Sequence, residues 1–226
     1  MLARRRVPRG ARARLLVADW DRLLAEGAGE PAASRFTAVI RLVPDSVEAT
    51  RARLRHSLAL ATRAERPEDL APIRDALARL AQGETGDIGR EARAYEQVVR
   101  QVMSPDSQEG PQFRTAELAR DSLGAARLAG RLFVRFAERQ PASLFAPKAL
   151  LAALPLLPER RDSLLAVLDR EYAASPYTLA LHGEMSPAFG AVEDSLAGTL
   201  GVQLVPAKAP ILLRVGPPVP GPRGPS

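Results

Sequence analysis

The chain has 226 residues, 46% of them apolar, enough for one large domain or two small ones with a substantial core. Aromatics make up only 4% and alanine dominates, which suits close-packed helices and disfavours sandwiches or barrels built from β-branched and aromatic strands. The net charge is +6, cysteine is absent, and no apolar run is long enough to read as a transmembrane helix; disulfides, thiolate catalysis and cysteine zinc sites are thereby excluded.

The basic excess is confined to the start of the chain. Arg4, Arg5, Arg6, Arg9, Arg12 and Arg14 lie in an acid-free stretch, residues 1–18, and equal the whole surplus of basic over acidic residues. Residues 1–11 therefore read as a basic arm, solvated or in contact with phosphates or anionic lipid. Lys148 and Lys208 are the only lysines, a bias that together with abundant Ala, Gly and Pro points to a GC-rich, bacterial coding sequence. The apolar run LLVADW is too short for a signal-peptide core, so the chain as written reads as cytosolic; an upstream signal would move it to the periplasm or cell envelope.

The spacing of Leu15, Leu16, Trp20, Leu23 and Leu24 predicts an amphipathic helix from Arg12 to about Glu26, ended by Gly27-Ala28-Gly29. A second helix carries Ala32, Phe36, Val39, Ile40 and Val43 and stops at Pro44. Asp45 or Ser46 can cap a third, with Ala49, Ala52, Leu54, Leu58 and Ala61 on its apolar side. Arg66-Pro67-Glu68-Asp69 opens another, with proline first and acids in the opening turn, followed by Ile73, Leu77, Leu80 and Ala81. Gly83 to Gly89 reads as a turn, and a helix from about Arg90 to Met103 uses Ala92, Tyr95, Val98 and Val99.

Ser104 to Gln112 has no apolar residue and two prolines, so it is expected to be a linker or long loop. Helices are expected again over 113–122, 125–139, 144–154, 158–172, 177–183 and 188–196. From Gly198 the composition changes: VQLV and ILLRV could be short strands, and GPPVPGPRGPS an extended tail. The resulting layout is a basic arm at 1–11, N-terminal helices at 12–103, a linker at 104–112, C-terminal helices at 113–198 and a Pro/Gly-rich tail at 199–226.

Two segments match at a constant offset. Ala32, Phe36, Pro44, Ser46, Ala49, Ala52 and Leu54 recur 97 residues on as Ala129, Phe133, Pro141, Ser143, Ala146, Ala149 and Leu151, and Gly27 as Gly124 at the preceding turn. A third copy, offset by 32 from the second, has Leu165 for Phe133, Ser175 for Ser143 and Tyr177 for Phe145. Physically, a two-helix unit cannot bury its apolar face alone and must stack on neighbours. Proline removes a donor where one helix ends, and serine caps the next. A second proline, Pro147, disfavours helical geometry at Ala146, so the helix after Ser143 is expected to start one or two residues late.

This pattern of Gly, then Ala, Phe and Pro resembles the tetratricopeptide (TPR) repeat, in a form closest to degenerate repeats of bacterial envelope proteins, the outer-membrane-assembly lipoproteins and cell-division coordinators. The middle of the chain, around Ala76–Tyr95, lacks both Phe and Pro. The resemblance implies an all-α, TPR-like antiparallel helix-pair solenoid of about ten helices with irregular tails. In that family alanine and a bulky apolar residue mark the second helix of a repeat, proline closes it, and first helices line a binding groove. The competing architecture is a non-repeating alanine-rich bundle.

Nothing in the sequence nominates a catalytic, cofactor-binding or metal-ligating residue. His56 and His182 are the only histidines; His182-Gly-Glu184 lacks the cysteines of a zinc deaminase, and Gly83–Gly89 lacks the Lys-Ser/Thr of a P-loop. The expected role is a non-catalytic scaffold, without cofactor, that holds a peptide or partner protein in a groove, with an envelope-assembly role implied by the resemblance. The alternative is a nucleic-acid-associated protein that uses the Arg-rich arm, although the neutral body lacks a basic stripe.

Overall fold

The computed structural model describes residues 8–11, 13–16, 29–104, 109–184 and 186–200, and all regular structure among them is helical. Residues 9–11 and 13–16 are helical, so the predicted basic arm already contains helix at its end. Ala13 is fully buried and Leu16 half-buried, whereas Leu15 is 67% exposed. Leu15 was expected on the apolar face, but at 100° per residue it falls off the side that Ala13 and Leu16 share. Gly27, Trp20, Leu23 and Leu24, and the two segments after Gly198 expected as strands, lie outside the described residues.

Ten α-helices follow among the described residues. In the first half they are α1 (Gly29–Leu42), α2 (Val47–Ala61), α3 (Ala71–Gly83) and α4 (Asp87–Met103). In the second they are α5 (Glu109–Asp121), α6 (Ala126–Arg139), α7 (Phe145–Ala153), α8 (Arg161–Glu171), α9 (Pro176–Leu181) and α10 (Phe189–Leu200). Short 3-10 turns, Pro67–Leu70 and Pro158–Arg160, lead into α3 and α8. Asp69 fixes the first of these: its carboxylate accepts the Glu65 and Arg66 amides at 3.0 and 2.9 Å, which hold its pKa below the ordinary range.

Three boundaries are worth tracing to their cause. The turn between α3 and α4 shrinks to residues 84–86, because Asp87 already opens α4. Helix α5 starts at Glu109, inside the segment expected as a linker to Gln112, and places Pro111 in the first helical turn where its missing donor costs nothing. Thr199 and Leu200 belong to α10, not to the tail.

Consecutive helices pack most extensively in the pairs α1/α2, α3/α4 and α5/α6, and α7 lies on α6 as well. The main core runs from Leu54 to Leu196 and therefore unites helices on both sides of residues 104–112. At its centre Phe113 of α5 meets Phe133 and Phe136 of α6 and Phe145 of α7, with ring centroids 5.2, 6.0 and 5.0 Å apart in tilted and edge-on geometries. A smaller core gathers Ala13, Ala33, Phe36, Val39, Ala52 and Ala59.

Three of the turns that join helices share one pattern. After α1, α6 and α8 the amides of Ser46, Ser143 and Ser175 donate to the carbonyls three residues back, those of Val43, Gln140 and Tyr172, at 2.9–3.1 Å. Each serine hydroxyl then accepts an amide of the next helix: Ala49 at 3.1 Å, Phe145 at 3.1 Å and Tyr177 at 3.3 Å. Pro44 and Pro141 each fall two residues past the last helical residue, Leu42 and Arg139. Helix α7 begins at Phe145, two residues after Ser143, so Pro147 occupies the third helical position, where no intrahelical donor is needed.

One feature of the helix count constrains any repeat. In an alternation of two-helix units, equivalent helices are separated by an even number of steps. Helices α6 and α8 are two steps apart, but α1 and α6, which carry Phe36 and Phe133, are five steps apart among the described residues. The two matching segments therefore do not lie in one unbroken alternation.

Candidate interaction grooves

The residues singled out by sequence are mainly structural. Phe36 and Phe133 are both fully buried, but in different cores. Ala129, Ala49, Ala146, Ala52 and Ala149 are buried, while Ala32 contributes only its backbone to the described residues. Gly124 adopts φ +62 and closes α5, allowing the Ala125 amide to reach the Ala119 carbonyl at 2.9 Å. Tyr177 is buried and donates its hydroxyl to Glu193 of α10, which also accepts both 2.8 Å hydrogen bonds from Lys148 of α7. These residues build the frame and line no common site.

Two grooves open in that frame. The first, a cavity of about 320 Å³, lies across α1, α2 and α3. Ile40, Ala76 and Leu80 give it an apolar floor, and Arg53, Arg79, His56 and Glu84 stand around it. Arg53 is anchored by a 2.8 Å bond from Nη2 to the Pro44 carbonyl. His56 Nδ1 lies 3.1 Å from the Ala33 carbonyl, which fixes Nδ1 as the protonated nitrogen because a carbonyl can only accept. Glu84 accepts from the Thr50 hydroxyl at 3.4 Å. Arg79 is exposed and has no hydrogen bond or ion pair among the described residues.

The second groove, about 370 Å³, lies across α6, α7 and α8. Val134, Ala137, Leu150, Leu164 and Val167 are its apolar walls. Its charged groups are more committed: Arg160 Nη2 lies 3.9 Å from Glu138 and Arg170 Nη2 2.7 Å from Glu171. Tyr172 donates to the Pro141 carbonyl at 3.0 Å, and burial with Glu171 nearby pushes its hydroxyl pKa up.

The grooves occupy corresponding places in their three-helix groups. A step of 97 residues takes Ile40 to Ala137 and Arg53 to Leu150, each lining its groove. A step of 87 takes Ala76 to Ser163, Leu80 to Val167 and Glu84 to Glu171, again groove for groove. Most of the lining comes from α1 and α3 in the first groove and from α6 and α8 in the second, all second helices in the register set by Phe36 and Phe133, whereas the family resemblance places first helices in the groove. The offsets of 97 and 32 do not relate α3 to α8, so these residues stand out only at the 87-residue step, where Arg74, Asp75, Leu77 and Glu84 recur as Arg161, Asp162, Leu164 and Glu171.

A third cavity, about 500 Å³ between α4, α5 and α10, is lined by polar groups such as Gln101, Arg114 and Thr199. Beside it Glu117 is half-buried, and desolvation pushes its pKa up against the opposing pull of Arg120. Among the described residues no group of three His, Cys, Asp or Glu converges as a metal site, and no helix is long and apolar enough to cross a membrane. His182 Nε2 meets Asp169 Oδ1 at 2.7 Å on the exposed surface. Compared with protein-family models, curated proteins and solved structures, the chain matches none. The fold thus defines the class, all-helical among the described residues.

Proposed function

We propose that this chain is a non-catalytic interaction scaffold that holds peptide segments of partner proteins in the α1–α3 and α6–α8 grooves. The observation that carries the reading is the paired placement of the grooves, each with an apolar floor and a few polar groups at its edge, the general form of a recognition site. Their volumes suit one or two side chains of a peptide rather than a buried cofactor. A rigid groove between packed helices binds with little ordering cost.

The architecture on this reading is two TPR-like helix groups that hold the grooves, α1–α3 and α6–α9, whose members α3 and α6 pair in turn with α4 and α5, and not one continuous solenoid. A cell-envelope partner is the direction in which the family resemblance points. Immobilised peptide libraries probed with the full chain test the proposal. Ala76→Trp and Ser163→Trp each fill one groove, so each is expected to abolish a separate set of captured peptides. A library with no captured peptide, or capture unchanged in the double variant, overturns the scaffold reading. Tight, strongly salt-dependent binding of DNA or RNA that is lost when residues 1–18 are removed would favour a nucleic-acid role instead.

A further inference from the structure

The two grooves match in position but differ in charge. Arg53 and Arg79 face the first groove against one carboxylate, Glu84. The same steps of 97 and 87 residues lead from Arg53 to Leu150, which lines the second groove, and from Arg79 to Ala166, which stands outside its lining, while Glu171 keeps the place of Glu84 and Glu138 adds a further acid. The first groove thus has a cationic surplus over an apolar floor; in the second, acids outnumber the one lining cation, Arg160, which is paired with Glu138.

From this difference we infer that the α1–α3 groove selects an acidic amphipathic peptide, whose apolar side chain enters between Ile40 and Leu80 and whose carboxylate is bracketed by Arg53 and Arg79. The inference rests on the scaffold reading and adds the chemistry of its ligand. Arg53 uses one N–H on the Pro44 carbonyl, which holds the guanidinium in place while leaving other donors. Arg79 has no competing partner among the described residues, so no internal ion pair must break when a carboxylate arrives. A carboxylate between two arginines gains charge-assisted hydrogen bonds with fixed geometry. Glu84 lies in the same groove, bonded to Thr50, and repels a second acid placed at that end. The favoured ligand therefore carries its acid on the Arg53–Arg79 side only.

Fluorescence anisotropy with the full chain and labelled model peptides tests this. A Leu/Asp amphipathic peptide is expected to bind, and a Leu/Lys or Ser/Asp counterpart to bind at least about tenfold more weakly. Arg79→Glu, at an exposed position that should leave the melting temperature unchanged, is expected to weaken the Leu/Asp peptide about tenfold, as should raising salt past the point of charge screening. Ala76→Trp should remove binding, and Ser163→Trp in the other groove should leave it intact. Equal binding of the Leu/Lys peptide, or affinity unmoved by Arg79→Glu, overturns the inference. If neutral apolar peptides bind and are blocked by Ala76→Trp, the scaffold reading survives and the acidic selectivity falls. If no peptide binds either groove, both fall. Tighter binding of a single-stranded oligonucleotide without any apolar requirement also overturns it, in favour of a polyanion site.

Discussion

At the scale of single residues, the fold depends on where a side chain is absent. Gly130 lies inside α6, where helix propensity alone would favour alanine by about 1 kcal/mol. A Cβ at that position would stand 2.7 Å from Leu157 Cγ and 3.0 Å from Leu156 Cβ, both in the connection that carries the chain from α7 to α8. The connection is fixed by the Leu156 and Leu157 amides on the Ala153 carbonyl at 3.0 Å, and Leu157 is buried, so it has little room to retreat. Gly130→Ala is therefore expected to destabilise by about 1–3 kcal/mol despite the better helix former. Gly198 in α10 has nothing within 4 Å of an added Cβ. Gly198→Ala should stabilise, by about 0.5–1 kcal/mol. Urea unfolding of the two variants beside the parent measures both signs; a gain from Gly130→Ala would show that the Leu156–Leu157 connection yields easily.

At the scale of elements, α10 is held by a polar clamp. Lys148 of α7 and Tyr177 of α9 both donate to Glu193, and Lys148 Nζ also lies 5.7 Å from the Tyr177 ring centroid. Burial pushes the Glu193 pKa up, but the Lys148 and Tyr177 donors outweigh it and hold the carboxylate below its ordinary range. A lowered carboxylate pKa stabilises the fold above the unfolded value and loses that contribution as pH falls through the folded one. Tyr177 is shifted the other way: burial first, then Glu193, push its hydroxyl far above the ordinary value. Its contribution is present below about pH 10 and fades as pH rises beyond. Glu193→Gln is expected to cost about 1–2 kcal/mol near neutral pH, discounted for partial exposure, and to flatten stability at both the acid and alkaline ends. Denaturant midpoints across pH check this; a Gln variant with the parent's pH profile would remove the clamp from the account. None of this was legible in the sequence, because Lys148, Tyr177 and Glu193 are brought together only by the packing of three helices. Local signals read well by contrast. Ser46, Ser143 and Ser175, Pro44 and Pro141, and the late start of α7 before Pro147 are set by neighbours in the chain. The segment 104–112 misled because its polar composition looks like a linker, while Pro111 suits a helix's first turn and Phe113 just beyond it anchors the main core.

At the scale of the molecule, the two cores meet only at α2 among the described residues. Ala52 and Ala59 face the smaller core, and Leu54 and Ala61 face the main one. Each pair is seven residues apart on one side of the helix, and the two pairs are offset by about 200°. The main core holds the four-phenylalanine cluster of α5–α7, whereas the smaller has Phe36 and Val39 among alanines. Burial free energy follows apolar area, so the smaller core gains less per ordered residue and should open first. The α1–α3 groove is lined in part by Ile40, which packs against that smaller core, so its opening would also unmake the groove. Native-state hydrogen exchange is expected to show α1 amides exchanging through a lower-energy opening than those of α3 to α7, and a single cooperative transition for the helices on both sides of residues 104–112. Phe36→Ala should lower protection in α1 while leaving the main transition nearly in place. Phe133→Ala should move the main transition by about 3–5 kcal/mol, since it removes a fully buried ring packed on Phe113 at the centre of the aromatic cluster. Equal effects of the two substitutions on one transition would mean that α2 couples the cores fully, and separate transitions before and after residues 104–112 would mean that the main core is two.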